Sequence, residues 1–298
     1  MLTIVLSGGA NFGAMQAGAL EALFEAGIEP NMAVGTSAGA LNSIYLASDP
    51  TLEGMKELQE NWRRVGTSEV GMPRPIKTIR RLITGAEGLI DNEPLATFLN
   101  GAFPEGVENF GQLYEMHQLR AYATAVCMET GDLVAFGDND EDRMIDGAMS
   151  SSAVPPFYAP WRVGDCRYMD GGLKAKLPLM VAVERGASQI IALDIQNAMG
   201  SLENANSMIN ITGYSISMMI EDQTRREVKT ADASGVGLRV FTLVPPGDVD
   251  FWDYEQVEQL IEMGREQVRN ELVERPIELA PQWQIRMRQG LANLFRRS

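Results

Sequence analysis

Two stretches near the start of the chain constrain its fold most, because each runs from a short apolar segment through glycines into a helical pattern. In "AVGTSAGALNSIYLA", residues 33–47, Ala33-Val34 reads as the end of a strand, while Ala38, Leu41, Ile44 and Tyr45 recur at helical spacing. Gly35, Ser37 and Gly39 then occupy a sharp strand-to-helix turn with the spacing G-x-S-x-G. In such an elbow, glycines flank the serine because side chains there would collide. The hydroxyl is pushed outward, and the next helix points its N-terminus at whatever the hydroxyl attacks. An ordinary Gly/Ser turn, with Ser37 or Thr36 as a helix cap, has the same local pattern.

The second stretch is "TIVLSGGANFGAMQAGALEAL". Thr3 to Leu6 reads as a buried strand, Gly8, Gly9 and Gly13 make a tight turn, and Met15, Ala19, Leu20 and Leu23 share a face of the following helix. Two phosphate-binding templates fail here. The dinucleotide pattern needs a glycine where the chain has Ala10, and the nucleotide loop needs a Lys followed by Ser or Thr, where Ala14-Met15 stand. What remains is a nest of backbone N–H groups beside a helix N-terminus, suited to an oxyanion, or simply a tight turn.

A nucleophile and an oxyanion nest lack a base. The single histidine, His117, lies in "YEMHQLRAY", which reads as an exposed helix end or loop, and it precedes most of the strands. A carboxylate is the better candidate. In "CRYMDGGLKAKLPL", Arg167 to Met169 reads as a strand, and Asp170 sits at its end before Gly171-Gly172. Carboxyl ends of strands are where open α/β sheets bind ligands. Asp-Gly is also a common turn dipeptide.

Further strands are expected at 32–34, 121–128, 133–136, 190–195 and 238–244, with helices at 14–26, 38–47, 52–65, 94–99, 177–185, 209–231 and 254–275. Several strands are continuous apolar runs, as in sheets buried on both faces. The alternation predicts an α/β fold, with a mostly parallel central sheet and helices on both faces. Residues 66–91, rich in Gly and Pro, are expected to form a large loop or cap.

A formal charge of −15 argues against nucleic acid as a partner. Cys127 and Cys166 lack metal-ligand spacing and fit buried free thiols in a reducing compartment. "MLTIVLSGGA" has no basic region and is short for a signal sequence, and no apolar run approaches a bilayer span. The expectation is a cytoplasmic protein.

The glycine-rich loop after the first strand, G-T-S-A-G, and D-G-G after a later strand, in this order, resemble the patatin-like phospholipase family. "SSAVPPFYAP" at 151–160, "AMQAGALEAL" and "LPLMVAVERGA" also resemble that family's intervening segments, so the likeness spans about residues 1–195. The resemblance implies a patatin-like catalytic domain over 1–276. It also implies a Ser37–Asp170 dyad without histidine, an oxyanion hole from the N–H groups of Gly8, Gly9 and Ala10, and turns made by Gly35, Gly39, Gly171 and Gly172. It implies lipid acyl esters, of phospholipid or lysophospholipid type, as substrates, and no cofactor or metal. A catalytically weak or inactive binding protein is the alternative. The family's loop reads G-G-G-x-R-G, whereas this chain has Ala10 for the third glycine and Phe12 for the arginine. An unbraced loop is one expectation, with Phe12→Arg raising turnover; an apolar wall of the acyl site is the other.

The tail at 277–298 contains "QWQIRMRQGLANLFRRS", with four arginines and no acidic residue. As a helix it places Trp283, Met287, Leu291, Leu294 and Phe295 on one side. That is an interfacial pattern suited to peripheral contact with anionic membrane, joined by "PRPIKTIRR" at 73–81, unless the apolar side docks on the protein itself.

Overall fold

The computed structural model describes residues 1–67, 70, 75–196, 208–247, 249 and 253–277. In chain order the elements are β1 (Leu2–Leu6), α1 (Gly13–Glu25), β2 (Met32–Thr36), α2 (Ala38–Ser48), α3 (Leu52–Thr67), α4 (Pro75–Thr84), α5 (Glu93–Ala102), α6 (Phe110–His117), β3 (Arg120–Cys127), β4 (Leu133–Phe136), α7 (Met144–Ser151), β5 (Trp161–Val163), β6 (Cys166–Asp170), α8 (Leu179–Glu184), β7 (Gln189–Ile195), α9 (Met208–Ala233), β8 (Gly237–Leu243) and α10 (Val257–Glu274).

The strands form one sheet in the order β5-β6-β3-β2-β1-β7-β8, with β4 added to β3. The run β3-β2-β1-β7-β8 is parallel, whereas β4, β5 and β6 join antiparallel. The apolar runs are explained by the pleat. Ile4 and Leu6 enter the larger core with α1, α2, α3 and α10, while Val5 between them enters a second core with α8 and α9. The expected α/β sheet with helices on both faces is what forms.

Three helices and one strand were not anticipated: α4, which lies inside the presumed 66–91 loop, α6, α7 and the three-residue β5. The cysteine expectation is overturned as well. Cys127 and Cys166 form a disulfide between β3 and β6, bridging 39 residues of sequence. The antiparallel pairing sets Cys127 opposite Tyr168, two residues from Cys166, a juxtaposition that linear spacing does not reveal. The inference from free thiols to a reducing compartment therefore lapses. Among the described residues, no helix is long and apolar enough to cross a membrane. The tail's apolar and basic residues, from 278 onward, lie outside the described residues, as do 73 and 74 of the second basic stretch.

Candidate active site

Strand register brings Ser37 and Asp170 together. At Thr124, β3 pairs with Ala135 of β4 and Thr36 of β2; at Ala125 it pairs with Val134 of β4 and Asp170 of β6. Since β4 holds one edge at both positions, β2 and β6 share the other and meet head to head. Their carboxyl ends, Thr36 and Asp170, face consecutive residues of β3. Parallel β2 carries the serine in from one direction, and antiparallel β6 carries the aspartate in from the other.

The elbow is built as the motif requires. Ser37 has φ 56° and ψ −126°, a strained conformation for a residue with a side chain. A Cβ on Gly35 would lie 2.0 Å from the Gly39 carbonyl oxygen, and one on Gly39 would lie 2.3 Å from that of Leu6. The chain folds so tightly on itself and on the end of β1 that backbone fills the space of both side chains. The Ser37 N–H donates to Ser151 Oγ at 2.7 Å, fixing the turn from outside.

Asp170 is 4% exposed. Its Oδ1 accepts from the Gly172 N–H at 2.7 Å, in the turn made by Gly171 and Gly172. Its Oδ2 is buried without a fully formed hydrogen bond. Burial pushes the carboxyl up to about 6, opposed by the neighbouring Ser37 hydroxyl and the Gly172 N–H. A carboxyl so placed keeps one oxygen available and holds a proton more readily than an exposed aspartate. A Cβ on Gly171 would lie 2.3 Å from Thr124 Oγ1, so this turn is pressed against β3.

The glycine-rich loop lies beside the serine, where a Cβ on Gly8 would be 3.2 Å from that of Ser37. One expected oxyanion donor is corrected: the Gly8 N–H donates to the Lys176 carbonyl at 3.0 Å, in the segment between the Asp170 turn and α8. Among the described residues, the N–H groups of Gly9 and Ala10 meet no acceptor. Ala10 has φ 45°, in the left-handed region that favours glycine. Where the family has an arginine, polar side chains of this chain hold the two ends of the loop. Gln16 Nε2 donates to the Ser7 carbonyl at 2.8 Å, Asn42 Nδ2 donates to the Gly13 carbonyl at 3.0 Å and to Gln16 Oε1 at 2.9 Å, and Trp62 Nε1 donates to Asn42 Oδ1 at 2.9 Å. Phe12 is 3% exposed in the main core and lines neither cleft at the site, so the expectation of an apolar wall of the acyl site gives way to packing.

Two clefts meet at Ser37 and Ala10. One, about 820 Å³ with its open mouth, is walled by apolar side chains that include Leu41, Leu58, Trp62, Leu95, Phe98 and Leu99. The other, about 780 Å³ on the same measure, contains Asp170 and is closed by one face of α9. His117 ends α6 on the surface and lines neither. Among the described residues, the one group of side chains with metal-ligand spacing is Cys127, Glu129 and Cys166, and its thiols are joined as the disulfide.

Sequence reasoning missed the part played by residues 151–153. Ser151 accepts from the Ser37 N–H, and the Ala153 carbonyl accepts from the Asp170 N–H at 3.0 Å. One short segment at the end of α7 thus holds both members of the pair. The signal is present in "SSAVPP", whose likeness to the family's segment carries no physical role until strand register brings it to both residues.

The sequence profile of the patatin-like phospholipase family matches residues 4–183, more than half of the chain. The chain belongs to that family. It is 27% identical over 198 residues to patatin-like phospholipase domain-containing protein 7 of mouse, and 25% identical over 200 residues to the human domain-containing protein 6. Each alignment takes in 65% of this chain and 13% of the relative's length. Similar solved structures are VipD from Legionella pneumophila (TM-score 0.43, 14% identity, 99% of this chain and 74% of that one) and human GIVD cytosolic phospholipase A2 (TM-score 0.48, 12% identity, 99% and 59%).

Proposed function

We propose that the chain is a lipid acyl hydrolase working through Ser37 and Asp170. The observation that carries this reading is the buried Asp170 Oδ2, left without a full hydrogen bond beside the Ser37 hydroxyl at the junction of two clefts. The family and the names of its relatives, phospholipase domain-containing proteins, support a lipid substrate.

Ser37 Oγ bonds to the ester carbonyl carbon as its proton passes to Asp170 Oδ2. The carbonyl oxygen, now negative, is held by the N–H groups of Gly9 and Ala10 in the loop that leads into α1. Collapse of the tetrahedral intermediate breaks the bond to the alcohol, which leaves with the proton from Asp170. Water then attacks the acyl-Ser37 ester, its proton goes to Asp170, and the fatty acid departs as Ser37 recovers a proton. A carboxyl near 6 is a better base than an unperturbed aspartate and is still ionised at neutral pH. The apolar cleft takes the acyl chain. All acid–base and oxyanion groups in this scheme come from the chain, and no metal or cofactor enters it.

A fluorophosphonate probe tests the reading. Wild type is expected to be labelled and to hydrolyse a soluble nitrophenyl ester, and Ser37→Ala to do neither. An unlabelled wild type would leave the binding-protein alternative. Peripheral membrane contact through residues 278–298 is a separate proposal, supported by their charge pattern. Sedimentation with anionic vesicles at low salt, with and without those residues, decides it: equal binding by the truncated chain discards it.

A further inference from the structure

The second cleft separates the family's name from this chain's substrate. Of the described side chains lining it, one is cationic, Lys176. Lys176 is buried and already neutralised, its Nζ donating to Asp194 at 2.9 Å and to the Ile195 carbonyl. Glu221, on the α9 face that closes the cleft, brings a negative charge. The nearest lysine in sequence to the Asp170 turn, Lys174, is exposed and lies outside the lining, and residues 196–224 contain no lysine or arginine. Among the described residues, a phosphate placed here would meet a carboxylate and no cation other than the paired Lys176, the reverse of what phosphate recognition requires.

The same face carries the groups that a neutral polyol needs. Ser217 stands one helical turn before Glu221, on the same side of α9. It is 7% exposed, and its Oγ has no hydrogen-bond partner among the described residues. A buried hydroxyl without a partner costs free energy that a ligand hydroxyl returns. Glu221 accepts hydrogen bonds and Ser217 both donates and accepts, so together they match two neighbouring hydroxyls. Ile216 and Ile220 supply apolar contact for the carbons between them.

Building on the hydrolase reading, we infer that the alcohol side of the substrate is an uncharged glyceryl group, bound by Ser217 and Glu221, and that esters carrying phosphate at this position are discriminated against. The product released from this cleft is then glycerol or a partial glyceride. Non-hydrolysable ethers test this by calorimetry below their micellar concentrations: 1-O-octylglycerol against 1-O-octylglycerol 3-phosphate, at low salt. Wild type is expected to bind the neutral ether about fivefold or more tightly than the phosphate. Glu221→Gln is expected to narrow that ratio several-fold by tightening phosphate binding. Ser217→Ala is expected to weaken the neutral ether by roughly three- to tenfold. Equal or tighter binding of the phosphate by wild type, an unchanged ratio in Glu221→Gln, or no binding of either ether would overturn the inference. Failure of the hydrolase reading would show separately, as absent Ser37-dependent labelling and ester turnover, because ether binding needs no chemistry.

Discussion

The elbow at 35–39 and the loop at 8–13 do neighbouring jobs with different tolerances. In the elbow, missing side chains are forbidden by neighbours: backbone oxygens sit 2.0 and 2.3 Å from where Cβ atoms of Gly35 and Gly39 would be. In the loop, a side chain occupies a glycine-like position at Ala10, φ 45°, and the cost is confined to that residue's own backbone. A collision moves two segments apart, whereas a strained dihedral moves nothing. The elbow is therefore inflexible in sequence, while the loop can vary at position 10 as long as its N–H groups keep their direction; Gly9 and Gly13 are themselves crowded, by Ile195 and by Trp62 and Ala38.

The largest expected effect lies in the chemistry these two regions frame. Ser37→Ala, Asp170→Asn and the double variant should each lose about a thousandfold or more in kcat/KM on a nitrophenyl ester, and the losses should not multiply. His117→Ala, on the surface, should retain wild-type turnover. With Asp170 as the proposed base and its carboxyl near 6, wild-type kcat/KM should rise with pH through that region and then level off. A flat profile from pH 5 to 8, or a multiplicative double variant, would separate the two residues.

Next comes the elbow itself. Gly35→Ala should destabilise by about 3–4 kcal/mol or prevent folding, since the colliding atoms are backbone and cannot rotate away. Chemical denaturation measures it. A loss below about 1 kcal/mol would mean that the elbow relaxes as easily as the loop.

What sequence could show of these regions follows from where their determinants lie. The elbow, β1, β2 and the Asp170 turn are local: an apolar run, a glycine spacing and a helical period are all visible within fifteen residues. The commitment of Gly8 to Lys176, the grip of Ser151 and Ala153, and the Cys127–Cys166 bond depend on register between distant segments. At the antiparallel end β4 and β6 were legible as strands, whereas three-residue β5 was not, and the antiparallel pairing of all three depends on the same distant register. By contrast, α6 carried a legible start: Asn109 accepts from the Gln112 N–H and the Gln112 side chain reaches back, a capping box written as N-x-x-Q. α7, with its glycine and serines, is held by burial rather than propensity.

Asp170 also carries a stability cost that the glycine comparison does not contain. Its folded value, about 6, stands above the unfolded 3.8. Below pH 4 both states hold the proton and the group is neutral toward stability. Between 4 and 6 the unfolded chain releases its proton first, so stability falls as pH rises, and above 6 the full penalty applies. Two units correspond to about 3 kcal/mol as an upper bound. Asp170→Asn, inactive, should therefore melt several degrees above wild type at pH 7.5, with the gap closing near pH 4. Equal melting at both pH values would show that burial leaves this carboxyl unperturbed.

Ala10→Gly is the smallest expected effect and the finest test of the contrast. Removing the Cβ at φ 45° relieves about 1 kcal/mol of backbone strain, while glycine adds freedom to the unfolded chain worth about 0.5–1 kcal/mol. The two nearly cancel, so stability should stay within about 0.5 kcal/mol of wild type. Turnover should change less than about threefold, because the group offered to the oxyanion is the backbone N–H and glycine keeps it. Ala10→Val sharpens the result: a β-branched residue resists this dihedral, and the variant should fall below wild type in both stability and rate. If Ala10→Gly instead gained tenfold in rate, the alanine would be holding its N–H off target. The loop would then be constrained as tightly as the elbow, through direction of a donor rather than through collision.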